Sequence, residues 1–431
     1  MTESLAMPLR AVPWQAQEVL QRLGVLPDGV WDLWDVAAVC GRYAEDAGRL
    51  LERLVEAGLV TESGELYAIP LGLRGHARAG AAMLALAERE VALRRWLDWL
   101  LMNASAAQHR LSPEADVFGL LREYRHVPPF EPRISNPWSA TQWLVAHRAA
   151  LVDAVFAAHA AGLAQVVWQL VDALEPLALS WAEPEVWAQI HDLAVEAAGA
   201  CGQQRAARVL LVRRGTGLAA ADRPPVNHAP GCRDREGHGP LLGPMAGLED
   251  LHEALDQARA AWDVPVQAAA LRGLGLAYRQ AGDTGEAVRF LRRALELWER
   301  DPDQPGAREA KVWEWEGARI RADLGVTLLA AGAAAEALEA LGPACRAFEA
   351  AGDLRGEATG LVAMAFALAW TDHRELADKA LARAKRRFSE LGDAAAYTRC
   401  ASLGTELRVV PGNDAAARAW LRLLPAATRA L

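Results

Sequence analysis

Apolar residues recur at helical spacing along almost the whole chain, and strict alternation of apolar and polar residues is scarce. Ala16 to Leu23 reads as a short amphipathic helix that stops at Gly24, and Pro27-Asp28-Gly29 makes a turn. Asp32 to Cys40 is a second helix ending near Gly41. Ala44 to Ala57 is a third, with Leu50, Leu51, Leu54 and Val55 on one face and Gly58 at its C-terminal stop. The run LVTESGELYAI then gives two short β-prone stretches around Ser63-Gly64, a hairpin signal.

Three helices and a hairpin in this order predict a winged-helix-like domain over residues 1–80. Residues 81–137 are expected to hold a helix, read over 79–103, and an irregular crossover broken by Pro113, Pro128, Pro129, Pro132 and Pro137. Helical patterning resumes at Ala140 and reaches about Ala220, with breaks near Gly162, Pro184 and Gly202, so residues 138–220 form a helical, repeat-like domain. Between Ala221 and Gly243 the sequence carries too few apolar residues to offset the entropy of ordering. We assign 221–246 as a flexible linker.

Residues 247–431 repeat themselves. In LRGLGLAYRQAGDTGEAVRFLRRAL, the residues Leu271, Leu274, Gly275, Tyr278, Gly282, Ala287, Leu291 and Ala294 fall at the signature spacings of a tetratricopeptide helix pair. Leu324, Gly325, Leu328, Gly332, Ala337, Leu341 and Ala344 repeat the pattern, and Met364, Ala365, Leu368, Ala377, Leu381 and Ala384 echo it. The small residues at 287, 337, 377 and 417 are separated by 50, 40 and 40 positions, against a usual period of about 34. Longer helices or loops absorb the excess, notably DPDQPGARE at 301–309. Gly275 and Ala287 let two helices approach, Tyr278 and Leu291 fill the space between them, and Ala294 admits the next pair. One pair cannot bury its apolar face alone, so the pairs must stack. The expected fold is all-α: a winged-helix-like N-terminal domain followed by an α-solenoid.

Composition narrows the function. Alanine and leucine dominate a chain of 431 residues that is 52% hydrophobic, which favours helix over sheet. A formal net charge of −9 gives no global attraction to phosphate backbones. The cysteines at 40, 201, 232, 345 and 400 are scattered without a CxxC, which suits a reducing compartment. The most apolar stretch, Leu361 to Trp370, is ten residues, half of the roughly 20 that cross a bilayer. No basic segment followed by an apolar run opens the sequence. A cytoplasmic protein with no membrane partner is expected.

Three stretches resemble the back half of bacterial NB-ARC (STAND-type) transcriptional regulators, which join a nucleotide-binding ATPase domain to a winged helix and tetratricopeptide repeats. VLQRLGVLPDG is similar to the first winged-helix segment. AEDAGRLLERLVEAGLVTESGELYAIPLGLRGHARA looks like that domain's last helix, its wing and the helix after it. SATQWLVAHRAALVDAVFAAHAAGLAQVVWQLVDAL is similar to the linker into the repeats. In that family a hydrophobic-His-Asp triplet follows the wing, and its histidine reads the nucleotide phosphate. Here those positions are Ile69, Pro70 and Leu71, and no GxxxxGK[ST] occurs. The family's nucleotide domain has no counterpart in this sequence, so the resemblance implies a nucleotide-free derivative of the family, or a stand-alone protein built from its sensing half, with no cofactor expected.

The helix at 44–57 that would read DNA carries Glu45, Asp46, Glu52 and Glu56 against Arg49 and Arg53, and the wing adds Glu62 and Glu65. Phosphates repel such a surface. Neither a G-x-S-x-G nor any other catalytic constellation occurs, so no enzyme is expected, and Cys201 and Cys345 read as small core residues. Carboxylate pairs such as Glu314 and Glu316 fall on charged, solvated helix faces. His252 and Asp256 share a helix face without an evident third ligand, and His228, Cys232 and His238 cluster at irregular spacing, so no metal site is assigned. Trp96 with Trp99, and Trp313 with Trp315, read as packing rather than stacking platforms.

In a tetratricopeptide stack the first helix of each pair lines the concave face. Taking Gly275, Gly325 and Ala365 as equivalent, that face presents Arg272, Leu276, Arg279 and Gln280, then Arg319, Val326 and Leu329, then Val362, Phe366 and Trp370. Basic groups at one end and aromatics at the other suit a protein or peptide with acidic and apolar side chains, unless Phe366 and Trp370 simply pack against the next pair. The expected function is a non-catalytic regulatory adaptor in signalling or transcriptional control. The alternatives are a DNA-binding winged-helix regulator and a small-molecule sensor using the solenoid interior.

Overall fold

A computed structural model describes residues 12–111, 118, 120, 122–132, 134–177, 183–220, 244–300, 310–391 and 393–409. It is nearly all helical and divides into two compact units, one from residues 1–110 and 121–173, the other from 111–120 and 174–431. No helix among the described residues is long and apolar enough to cross a membrane.

The first unit opens with α1 (Trp14–Leu23), β1 (Trp31–Asp32), α2 (Leu33–Cys40), α3 (Ala44–Glu56), β2 (Thr61–Ser63) and β3 (Leu66–Ala68). The strands form one antiparallel sheet in the order β1-β3-β2, with Trp31 opposite Tyr67 and Glu62 opposite Tyr67 from the other side. Sequence patterning found the hairpin but not β1, which is two residues long and shows no alternation. Val19, Leu20, Leu23, Val36, Val39, Leu51, Leu54, Leu59 and Ile69 close the core. On α3 the arginines pair with carboxylates of their own helix, Arg49 with Asp46 and Arg53 with Glu56.

Two helices follow where one was expected: α4 (Leu71–Ala82) and α5 (Leu86–Leu111). Met83, Leu84 and Ala85 between them offer no glycine or proline stop. The new helix starts because the Glu88 carboxylate reaches back to accept the Ala85 backbone N–H at 3.2 Å. Helix α5 also runs on through residues 104–111, which were expected to be irregular. It buries Trp96, Leu97, Trp99, Leu100, Leu101 and Ala104. Asp98, also buried, accepts from Arg94 at 2.9 Å and from the His126 backbone N–H at 2.9 Å. The unit ends with α6 (Pro137–Ala160) and α7 (Ala164–Ala173).

The second unit consists of consecutive helices packed on their neighbours: α8 (Pro184–Ala200), α9 (Gln204–Ala220), α10 (Pro244–Ala260), α11 (Val264–Ala281), α12 (Thr284–Glu299), α13 (Ala310–Ala330), α14 (Ala334–Ala351), α15 (Leu354–Trp370), α16 (Arg374–Glu390) and α17 (Ala394–Val409). The repeat signature is expressed in packing. Leu291, Leu341 and Leu381 are buried, as are Ala287, Ala337, Ala377, Ala294, Ala344 and Ala384; Ala417 lies outside the described residues. A side-chain carbon built on Gly275 would stand 2.5 Å from Leu291 Cγ, and one on Gly325 would stand 2.5 Å from Leu341 Cγ. Glycine is required at both crossings.

The corners repeat as well. Residues 262, 282, 332, 352 and 372 all take positive φ (55°, 87°, 83°, 77° and 61°). At each, the next backbone N–H bonds back to a carbonyl five residues earlier, as Asp283 does to Tyr278 at 3.0 Å and His373 to Leu368 at 2.8 Å. This is the Schellman closure of a helix end. Three of the corners use glycine, but Trp262 and Asp372 adopt the same conformation with side chains. Aspartates often come next and cap the following helix: Asp263, Asp283, Asp353 and Asp393 accept from Val266, Glu286, Gly356 and Ala396.

Some of these caps are held from the first helix of the preceding pair. Arg205 and Arg208 on α9 pair with Asp263 at 2.9 and 3.2 Å, the Trp315 indole on α13 donates to Asp353 at 2.8 Å, and Arg355 on α15 pairs with Asp393 at 3.3 Å. One carboxylate therefore ends a corner, starts a helix and ties two pairs together.

Replacing Gly275 with alanine overpacks the crossing against Leu291 and should cost about 1–3 kcal/mol, read as a lower midpoint in denaturant unfolding. Trp262 is 88% exposed, so it has little packing to lose. Trp262→Gly should stabilise the chain by about 1 kcal/mol by relieving the left-handed backbone, measured in the same experiment.

Candidate partner-binding face

The polar members of the predicted face are gathered where α11 meets α13. Arg272 and Arg279 lie two helical turns apart on α11 and so share a side. Both turn toward Asp323 of α13: Arg272 Nε donates to Oδ2 at 2.6 Å, and Arg279 Nη1 stands 4.0 Å from Oδ1. Burial pulls the Arg279 guanidinium below its ordinary pKa, against the attraction of Asp323, and the neighbouring charge of Arg272 adds to the fall. Arg279 Nη1 has no hydrogen-bond partner. Leu276, between the two arginines, is half-buried, and Gln280 is exposed.

Arg319 of α13 lies over the Trp315 ring, its guanidinium carbon 4.7 Å from the centroid, and pairs with Glu316 at 3.4 Å and Glu175 at 3.7 Å. The cation–π contact and the carboxylates hold this arginine in one place.

The apolar members behave differently. Val326, Leu329, Val362 and Phe366 are all buried, Phe366 at 2% exposure, and they belong to the core shared by α12 to α17. Trp370 is half-buried and packs on that core. A first helix lies between its own partner helix and the neighbouring pairs, so its apolar residues are covered on more than one side. The Leu361–Trp370 run, which shows no single apolar face, is the sequence sign of that double burial. Sequence reasoning missed Asp323, the carboxylate that organises the arginines, because nothing local marks a partner 51 positions from Arg272.

The other candidates fall into ordinary roles. His252 lies edge-on to Phe290 with ring centroids 6.2 Å apart, and Asp256 pairs with Arg259 at 3.2 Å. His228, Cys232 and His238 lie outside the described residues. Burial pushes the Cys345 thiol up to about 12, so it is not a thiolate near neutrality. Trp96 and Trp99 are buried in α5. Trp313 stacks on Trp298 at 3.8 Å, and Trp315 meets Phe348 edge-on at 6.2 Å.

Residues 245–300 match the tetratricopeptide repeat family. The match spans α10, α11 and α12, and so includes the two arginines. No curated protein matches the chain. Among solved structures, a Rap protein complexed with competence and sporulation factor is 12% identical, with 95% of this chain and 98% of that one aligned at a TM-score of 0.37. A signal transduction ATPase with numerous domains from Pyrococcus horikoshii, with a tetratricopeptide repeat sensor, is 12% identical at a TM-score of 0.39; 97% of this chain aligns with 66% of that one. A circular tandem repeat protein is 13% identical at a TM-score of 0.25, with 98% and 95% aligned. The repeat assignment rests on the family match and on the recurring crossings and corners.

Asp323→Ala removes the carboxylate shared by Arg272 and Arg279 and should lower stability by about 2 kcal/mol, measured by denaturant unfolding. Arg272→Ala should cost less, since Asp323 keeps Arg279.

Proposed function

We propose that the chain is a non-catalytic regulatory adaptor that binds an acidic segment of a protein or peptide partner on the first-helix face of its repeats. The observation that carries this reading is the arrangement at Asp323. Two arginines share one carboxylate, so the pair keeps an excess of positive charge. The guanidinium edges of this pair that Asp323 does not cover can donate charge-assisted hydrogen bonds to a second carboxylate. Leu276 and Gln280 beside it supply an apolar contact and a backbone-reading amide, Arg319 extends the basic strip, and Trp370 offers its uncovered edge to an apolar side chain. Phe366 supports this face from within.

The winged-helix-like domain couples binding to another domain or protein, as the resemblance to the NB-ARC regulators implies. Pro70, which stands in place of their sensor histidine, is the N-cap of α4 and provides no side-chain hydrogen bond. A proline ring can neither ionise nor donate to a phosphate, which favours coupling without a nucleotide.

Fluorescence anisotropy with labelled, unstructured peptides tests the reading. A peptide carrying spaced Asp or Glu with Leu or Phe should bind at least tenfold more tightly than its amide counterpart with Asn and Gln. Binding should weaken as salt rises and fall about tenfold or more in Arg279→Met. Equal affinity for the two peptides would overturn the proposal, as would an unchanged affinity in the variant.

A further inference from the structure

The first unit contains a polar cluster that the partner-binding reading does not use. A carboxylate oxygen of Asp32, a carboxylate oxygen of Asp35 and a ring nitrogen of His147 lie within 4.8 Å of one another. Asp32 and Asp35 form the capping box of α2: Asp32 Oδ1 accepts from the Asp35 N–H at 2.8 Å, and Asp35 Oδ2 accepts from the Asp32 N–H at 3.2 Å. One oxygen of each carboxylate is thus spent on the helix, and the other remains. Asp32 Oδ2 lies 3.5 Å from His147 Nε2. Asp35 is 1% exposed, and its Oδ1 has no hydrogen-bond partner.

The histidine is oriented from α6. Its Nδ1 lies 3.0 Å from the Trp143 carbonyl oxygen. A carbonyl only accepts, so Nδ1 carries a proton and Nε2 is the nitrogen that faces the aspartates. The Trp143 ring stacks on the imidazole at 4.4 Å and fixes its plane. A histidine held by a backbone carbonyl through one nitrogen and facing carboxylates with the other is oriented as metal-ligating histidines usually are.

Two carboxylates and one imidazole converge here, with Asp35 buried.

We propose that Asp32, Asp35 and His147 form a binding site for a divalent transition-metal ion of the zinc class, which pins α6 to the N-terminus of α2. One nitrogen and two oxygens suit zinc, cobalt or manganese better than calcium or magnesium, which take oxygen donors alone. Donors on one zinc ion stand at most about 4.2 Å apart, twice a bond of roughly 2.1 Å, so the cluster closes with a small rotation of its side chains. Water completes the coordination. The ion acts as a structural clamp.

The test uses the full chain, stripped with a chelator and titrated with Zn²⁺ alone and then Co²⁺ alone. Cys232→Ser and His238→Ala serve as background, so that those residues and His228 cannot supply a competing site. One equivalent of zinc should bind and raise the melting temperature, and cobalt should show visible bands of nitrogen and oxygen ligation. Asp35→Asn, which keeps an acceptor for the cap, and His147→Gln should each weaken binding by about tenfold or more. If His147→Gln loses its helical circular dichroism, Asp35→Asn decides. Absence of stoichiometric binding overturns the proposal, as does equal binding by Asp35→Asn. So does a cluster that holds only a proton, seen by NMR as a His147 imidazolium persisting unchanged when zinc is added.

Discussion

A leucine lodged where a side chain is missing sets the spacing of the repeats. Leu291 sits over Gly275 and Leu341 over Gly325, and each contact fixes how closely two helices cross. Helices this apolar cannot be left with a face in water, and no single pair can cover itself. Close crossings let alanines do much of the remaining filling. Alanine pays almost no side-chain entropy on burial, so a core built from it forms with little ordering cost.

That economy leaves specificity to be settled by a few polar contacts. Alanine faces are nearly featureless and would tolerate slippage of one pair against the next. The capping aspartates prevent it. Asp263, Asp353 and Asp393 each receive a donor from the first helix of the pair before, so register is keyed by directional hydrogen bonds as well as by shape. Asp323 does related work for Arg272 and Arg279 from within a helix. The face proposed to bind a partner is thus made partly of residues that also hold adjacent pairs in place.

Most of the architecture was legible because helix, stop and repeat are written locally. Gly24, Gly41, Gly162 and Gly202 marked ends that the structure keeps, and the recurring glycine, alanine and leucine positions marked the crossings. The boundary between α4 and α5 was not legible, because a glutamate reaching back to Ala85 leaves no trace in hydrophobic periodicity. Nor was β1, too short to alternate. The site fared unevenly for a physical reason. Arg272 and Arg279 could be placed on one side of a helix from their spacing, but whether Phe366 was accessible depended on which neighbours covered it. The grouping of Asp32 and Asp35 with His147 joins positions more than a hundred residues apart, and periodicity carries no information at that range.

The tight corners restrict how such a chain can change length. At 262, 282, 332, 352 and 372 a helix end closes on itself and the next helix begins within about two residues, so an inserted residue has no slack to occupy and would rotate every side chain that follows. The excess of ten positions in the step from Ala287 to Ala337, compared with the step from Ala337 to Ala377, coincides with residues 301–309, between α12 and α13. A change of length placed between the pairs, away from the corners, would leave the distances between interacting side chains within each pair as they are.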